Sequence, residues 1–174
     1  MAKYVALLRG INVGGNNKVE MKELKKVFES LGFLNVFTYI NSGNVIFETN
    51  RGIDVMGIEK SIHKMFGFEV KVLIRDAKNI LKLVRNLPIE WENNLEQKTD
   101  ILFLWGEFDN KKSINLIKTT EVDTLKYIGG AIVWNVKREG YKKSGMNKFI
   151  GTVVYKNMTA RNINTVRKLA GFLE

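Results

Sequence analysis

A loop rich in glycine and asparagine follows the first apolar segment of the chain, and its residue types suit the binding of an anion. The stretch RGINVGGNNKVEM (9–21) leads from a predicted strand into a predicted helix. Glycine lets the backbone approach a ligand closely, and the amides at a helix N-terminus favour negative charge. The candidate ligand-binding residues of this loop are Arg9, Asn12, Gly14, Gly15, Asn16 and Asn17.

The spacing of this loop leaves its role open. It matches neither G-x-x-x-x-G-K-[ST] nor G-x-G-x-x-G, so it carries neither the nucleoside-triphosphate nor the dinucleotide fingerprint. A turn-rich connection in which asparagine side chains cap the backbone explains the same composition. A second strand of similar character, DILFLWG (100–106), is followed by no such loop, which favours a role for the first one beyond the fold.

Three further polar clusters are candidate ligand contacts. Asn41, Ser42 and Asn44 surround Gly43 in a strong hairpin signal, for which a plain turn is the alternative. In the last third of the chain, Ser144 is predicted to cap a short helix and to expose its amides beside lysines. A cap at Thr159 is expected to begin the last helix. The candidates of these two later clusters are Lys143, Ser144, Asn147, Lys148, Arg161 and Asn162.

The residues needed for the common catalytic mechanisms are missing. The chain has no cysteine, and its one histidine, His63, lies beside the apolar stripe of its helix and is predicted to be exposed. No cluster has metal-ligand spacing, and no serine has a histidine to activate it except by accident of folding. We therefore predict no catalytic residue, metal or cofactor, and an enzyme is the less favoured class.

Positive charge is concentrated near the C-terminus. The formal net charge is +10, and residues 137–168 hold nine basic side chains against the single acid Glu139, which accounts for +8 of it. Such a patch attracts phosphate, nucleotide or nucleic acid. A solvated surface that keeps the protein soluble is the alternative.

The hydrophobic pattern predicts an α+β protein made of two tandem ferredoxin-like (βαββαβ) units with a C-terminal helix. The predicted division is residues 1–76, a linker helix and polar connection over 77–98, and residues 99–174. In the second unit we expect a helix over 109–118 and a last strand over 152–155. Tyr39-Ile40, Ser42-Gly43 and 45–47 parallel residues 127–134, which indicates an internal duplication.

Two expectations about the site follow from this fold. The first and third strands of a unit are expected to be parallel neighbours, so the enlarged loop of the first unit and the basic loop of the second leave equivalent ends of their sheets. This arrangement suggests a shared cleft if the two copies dock in that way. Phe47 and Trp134 occupy matching places on the third strands, where aromatic residues can stack on RNA bases. Burial in the core is the favoured interpretation of both side chains.

Three motifs resemble the bacterial "domain of unknown function 1697" family over nearly the whole chain. They are RGINVGGNNKVEM, TYINSGNVIF (38–47) and TARNINTVRKL (159–169). The resemblance implies paired α/β-plait subdomains and a protein of uncharacterised activity.

Taken together, the sequence predicts a cytoplasmic protein that binds an anionic ligand, either nucleic acid or nucleotide-like. The N-terminal apolar stretch is too short for a signal peptide or a membrane span. Two alternatives remain open: an enzyme acting on a phosphorylated small substrate in a cleft between the units, and a protein-interaction module with a basic face.

Overall fold

The computed structural model describes all 174 residues and divides them into two compact units. The first unit comprises Met1–Ile80 with Leu169–Glu174, and the second comprises Leu81–Lys168. Each contains one four-stranded antiparallel sheet, so the predicted α+β class is confirmed.

The first unit has the strand order β2-β3-β1-β4. Its elements are β1 (Ala2–Leu8), α1 (Met21–Ser30), β2 (Leu34–Tyr39), β3 (Asn44–Thr49), α2 (Val55–Phe66) and β4 (Val72–Asp76). The helix α3 (Ala77–Arg85) follows and continues into the second unit. The last turn of the chain belongs to the first unit, where Phe172 contacts Phe37 and Tyr39 of β2 with ring centroids 5.0 and 5.2 Å apart.

The second unit has the equivalent strand order, β6-β7-β5-β8. Its elements are β5 (Gln97–Leu104), β6 (Asp123–Ile128), β7 (Ala131–Lys137), α4 (Val153–Lys156) and β8 (Met158–Asn162), followed by α5 (Ile163–Leu173). The connections of this unit consist largely of 3₁₀ turns, at Gly106–Phe108, Lys111–Leu116, Arg138–Lys143 and Gly145–Lys148.

The central strands of each sheet are buried on both faces, which explains why they are apolar without alternation. On one face of the first sheet, Ala6 and Phe47 pack among α1 and α2, while Val5 and Leu7 are fully buried on the other face. The second sheet repeats this arrangement. Its fully buried residues on the two faces include Leu104, Ile132, Ile101, Phe103 and Val133.

An arginine followed by a helix-capping residue ends the fourth strand of each unit. Arg75 of β4 lies opposite Val5, and Arg161 of β8 lies opposite Ile101. The next residue caps the following helix in both units. Asp76 Oδ1 accepts the Asn79 amide at 2.7 Å, and Asn162 Oδ1 accepts the Thr165 amide at 2.9 Å.

Several sequence predictions for the second unit are wrong. The helix expected over 109–118 is a single 3₁₀ segment, Lys111–Leu116, and the strand expected over 152–155 is the helix α4. The last strand is Met158–Asn162, so Thr159 lies within a strand and Asn162 is the helix cap. Residues 152–155 alternate too weakly to separate a strand from a short helix, and Thr152 caps α4 by accepting the Tyr155 amide.

The predicted parallel pairing of the first and third strands is also wrong. The pairs β1–β3 and β5–β7 are antiparallel. The loop after β1 therefore lies at the end of its sheet where β3 begins. The basic loop after β7 lies at the opposite end of its own sheet, where β5 begins. The two loops leave non-equivalent ends, which removes the argument for a shared cleft.

We predict that Asp76→Ala and Asn162→Ala each lower the free energy of unfolding by about 1 kcal/mol, the usual cost of losing a helix cap. Chemical denaturation of the full chain measures the change. Asn50→Ala is the control, because Asn50 is exposed and precedes no helix, and it should have no effect. Equal effects of all three substitutions would contradict the capping roles.

Candidate functional site

The loop after β1 and the β2–β3 hairpin meet in the first unit through Asn12. Its side-chain amide donates to the carbonyl oxygens of Val19 at 3.0 Å and of Asn41 at 2.9 Å. Its Oδ1 accepts the Val19 amide at 2.8 Å. Asn12 has a φ of 54°, a left-handed conformation that asparagine tolerates. One side chain thus closes the loop on itself and fastens it to the hairpin.

The glycine pair forms the tip of this loop. Val13 and Asn16 form an isolated bridge around Gly14 and Gly15, whose φ values are 60° and 80°. Two successive residues of positive φ define a tight type I′ turn. Asn17 returns the chain by donating from its side chain to the Gly10 carbonyl at 3.2 Å. The expected position of the glycines at the start of a helix is wrong, because five residues separate Gly15 from α1.

The β2–β3 hairpin packs closely beneath the loop. At Gly43, with a φ of 79°, an added Cβ would lie 2.7 Å from Ile11 Cδ1 and 2.8 Å from Leu8 Cβ. The next residue, Asn44, is fully buried and donates to the Tyr39 carbonyl and the Ser42 hydroxyl. The hairpin is thus a turn held by its own hydrogen bonds and by close packing, and it supports the loop.

The structure brings the candidates of the first unit into one cluster. Arg9 joins the cluster to the start of β4 through its amide, which donates to the Lys71 carbonyl at 2.9 Å. The asparagine side chains of residues 12, 17 and 44 are engaged in hydrogen bonds within the cluster. The exposed residues of the cluster are the tip, 13–18, together with Gly10 and Asn41.

In the second unit, the N-terminus of the 3₁₀ turn capped by Ser144 binds the carboxylate of Asp123. Asp123 accepts the Ser144 hydroxyl at 2.5 Å and the Gly145 amide at 2.9 Å. It also accepts the Thr120 amide at 2.9 Å and the Trp134 indole N–H at 2.9 Å. Ser144 caps the 3₁₀ turn as predicted, through the Met146 amide. Its hydroxyl is used by Asp123 and is directed into the protein.

The lysines beside this network are exposed. We call residues 137–148, which span the end of β7 and two 3₁₀ turns, the basic excursion. Lys142, Lys143 and Lys148 lie on its surface. The side-chain amide of Asn147 donates to the carbonyls of Tyr141 at 2.7 Å and of Lys142 and Ser144 at 3.3 Å, which fixes the chain path between these lysines.

The remaining candidates, Arg161 and Asn162, lie on β8. Arg161 is 6% exposed, and its guanidinium donates to the Thr159 hydroxyl and the Ala160 carbonyl. Burial removes water from the cation and lowers the pKa of Arg161 to about 10. A buried arginine does not present its charge at the surface, and Asn162 is the cap of α5.

The two aromatic residues of the third strands are core residues, as predicted. Phe47 is fully buried, and Trp134 is 1% exposed. Because the residues on the opposite faces of the central strands are buried as well, these strands present no aromatic platform for bases.

The sequence offered no signal for Asp123, the residue that organises the basic excursion. Its partners Trp134 and Ser144 lie 11 and 21 residues away, so no local spacing links them. The one hint is Gly145, where an added Cβ would lie 2.0 Å from the Lys118 carbonyl oxygen.

No three histidine, aspartate or glutamate side chains lie close enough to bind a metal ion together. None of the helices has both the length and the apolar character needed to cross a membrane.

Comparisons with known proteins show the family of the chain and a solved structure of similar fold. The family model described as "Protein of unknown function (DUF1697)" matches residues 1–134, and the chain belongs to this family. The chain is similar to the solved structure of the conserved bacterial protein SP0830 from Streptococcus pneumoniae. That similarity has a TM-score of 0.85 and 28% sequence identity, and it covers 99% of each chain. Among curated proteins, none matches the chain.

We predict that Asn12→Gly detaches the glycine loop from the hairpin while keeping the backbone conformation. Glycine adopts the positive φ without strain, so the change removes only the three side-chain hydrogen bonds. We expect the Val19 amide to exchange with deuterium at least tenfold faster and stability to fall by about 1–3 kcal/mol. Asn16→Gly, at the exposed tip, is the control. An unchanged exchange rate at Val19 would contradict the role of Asn12.

We predict that Asp123 stabilises the fold in a pH-dependent way. Burial favours the neutral acid, but the hydrogen bonds from Ser144, Gly145, Thr120 and Trp134 outweigh it and lower the pKa of Asp123 below its ordinary value of 3.8. A lowered folded pKa gives stability that is present above pH 3.8 and is lost as the pH falls through the folded pKa.

The variant Asp123→Asn should therefore be less stable than the wild type at pH 7, by about 1–3 kcal/mol, and the difference should shrink below pH 3.8. Urea denaturation at a series of pH values measures it. Glu139→Gln, which removes an exposed negative charge, should have little effect. A stability difference that stays constant from pH 7 to pH 3 would show that the charge of Asp123 does not matter.

Proposed function

We propose that the protein binds an anionic ligand, with nucleic acid as the first candidate class, through the basic excursion of the second unit. One observation carries this proposal. The 12 residues of the excursion hold five exposed basic side chains and the single acid Glu139. The five are Lys137, Arg138, Lys142, Lys143 and Lys148.

The charges of the excursion are available to an external partner. None of the five basic side chains forms an ion pair with a carboxylate of the chain. Exposed cations without counter-charges attract phosphates and release bound counterions when these bind. The attraction acts on the phosphate backbone and requires no base-specific contact.

The excursion is also held in a defined conformation before a ligand arrives. Asp123 fixes its centre through Ser144 and Gly145, and Asn147 fastens three of its carbonyls. A pre-ordered site loses less conformational entropy on binding than a mobile one. This supports the excursion as a binding element rather than a merely solubilising loop.

The mode of binding that we propose is contact through loops rather than through a sheet surface. The burial of the central strands on both faces of each sheet supports this choice. The exposed tip of the glycine/asparagine loop, with Arg9 and Lys18 beside it, is the second proposed contact element in the first unit.

We also propose that the fold arose by duplication of one unit. The shared strand order and the matching pairs Arg75-Asp76 and Arg161-Asn162 support a duplicated ferredoxin-like unit. We propose the extents 1–76 and 99–174 for the two copies, with the connection over 77–98.

We predict that the full chain binds labelled single-stranded RNA and DNA with an affinity that falls steeply with salt. The triple variant Lys142→Glu, Lys143→Glu, Lys148→Glu should bind at least tenfold more weakly. The slope of log affinity against log salt should decrease by about 2, at roughly 0.7 per lost phosphate contact. Fluorescence anisotropy across a salt series measures both quantities.

The matched control is Lys22→Glu, Lys60→Glu, Lys64→Glu, which makes the same change of net charge on exposed residues of the first unit. It should keep most of the affinity. Equal losses in both triple variants would mean that only net charge matters and would overturn the assignment to the excursion. Failure of the wild type to bind at low salt would exclude nucleic acid.

A further inference from the structure

A second basic feature of the protein lies along the outer edge of β6 in the second unit. It is a groove of about 520 Å³, which we call the β6 groove. One wall is a run of five consecutive residues at the end of β6 and the start of its turn. The lining residues used below are Lys82, Lys111, Ile114, Leu125, Lys126 and Tyr127.

The charge of the β6 groove is entirely positive. Lys82 of α3, Lys111 of a 3₁₀ turn and Lys126 of β6 line it, and no carboxylate side chain does. The three lysines are exposed and form no ion pair. The Lys126 ammonium lies 5.2 Å from the centre of the Trp91 ring, a cation–π distance that holds the stem of this side chain in place.

The backbone of β6 presents hydrogen-bonding groups to the groove. β6 is an edge strand and pairs only with β7. Ile128 and Ala131 close the two-residue turn Gly129-Gly130, so hydrogen-bonded pairs recur at every second residue from Ile128. Leu125, opposite Trp134, falls between them, and its N–H and C=O point away from β7 into the groove.

Apolar surface completes the groove. Ile114, Leu125 and Tyr127 are half-buried where they line it. The Tyr127 hydroxyl donates to Asp109 at 2.7 Å, which holds the ring in position. The groove therefore combines strand backbone, apolar side chains and three cations.

From this combination we infer that the β6 groove binds an extended acidic segment of a partner protein, which adds to the sheet as a strand beside β6. The backbone of the segment pairs with Leu125. Its carboxylates face the lysines at positions 82, 111 and 126, and its alternate apolar side chains lie against Ile114 and Tyr127.

A peptide explains the groove better than a nucleic acid does. Nucleic acid would use the lysines but has no backbone that pairs with a strand edge. The groove also shares no residue with the basic excursion, so this inference stands apart from the proposed function.

The test uses the full chain and a fluorescein-labelled octapeptide of alternating valine and glutamate. We expect saturable binding at low salt by fluorescence anisotropy, and at least tenfold weaker binding to Lys82→Glu, Lys111→Glu. Lys22→Glu, Lys60→Glu is the matched control and should keep the wild-type affinity. The Leu125 amide should exchange with deuterium at least tenfold more slowly when the peptide is bound.

One further probe separates backbone pairing from charge alone. The same peptide with alternate N-methylated amides keeps its carboxylates but cannot pair as a strand, so it should bind at least tenfold more weakly. Equal binding of both peptides, no saturable binding of the parent peptide, or unchanged exchange at Leu125 would overturn the inference.

Single-stranded oligouridylate tests the competing class of ligand. Its affinity should be unaffected by Lys82→Glu, Lys111→Glu. A loss as large as that caused by the substitutions at 142, 143 and 148 would assign the groove to nucleic acid instead. If only the excursion variant loses RNA binding, RNA uses the basic excursion. The peptide experiment alone then decides whether the β6 groove binds an acidic strand.

Discussion

The burial of the central strands on both faces of each sheet determines where this protein can meet a ligand. Phe47 and Trp134, at matching places on β3 and β7, pack inside the protein, and Val5 and Ile101 are buried on the opposite faces. Groups that contact a partner must therefore lie on loops and strand edges. The basic excursion and the β6 groove are features of that kind, and the Asp123 network fixes the first of them.

Much of the fold was predictable because strand burial and helix capping leave local signals. Apolar runs such as 5–8 and 101–104 are typical of central strands. Aspartate is a preferred helix cap, and Asp54 and Asp76 accept the amides of Gly57 and Asn79. The errors concern segments that tertiary contacts decide. Residues 109–118 form 3₁₀ turns, and residues 152–155 form a helix, although their patterns were ambiguous. Antiparallel pairing of β1 with β3, by contrast, follows from the predicted element order: α1 returns the chain so that β2 runs in the direction of β1, and the hairpin then reverses it into β3.

The same distinction between local signals and long-range contacts applies to the candidate site. The composition of the glycine loop was visible, but the role of Asn12 was not, because its partner Asn41 lies 29 residues away. Ser144 was identified as a cap, yet the carboxylate it binds comes from β6, 21 residues earlier. Arg161 looked like a surface cation because the segment around it resembled a helix start. It lies on a buried strand position instead, with its pKa lowered to about 10.

Mapping RNA contacts on the backbone tests the central claim most directly, because it reports which residues meet the ligand. Amide chemical shifts of the isotope-labelled chain would be followed by NMR as single-stranded RNA is added. We predict that the changes concentrate in the basic excursion, at residues 137–148, while the strands β1, β3 and β5 remain unaffected. Changes centred on these strands, or none in the excursion, would contradict the account.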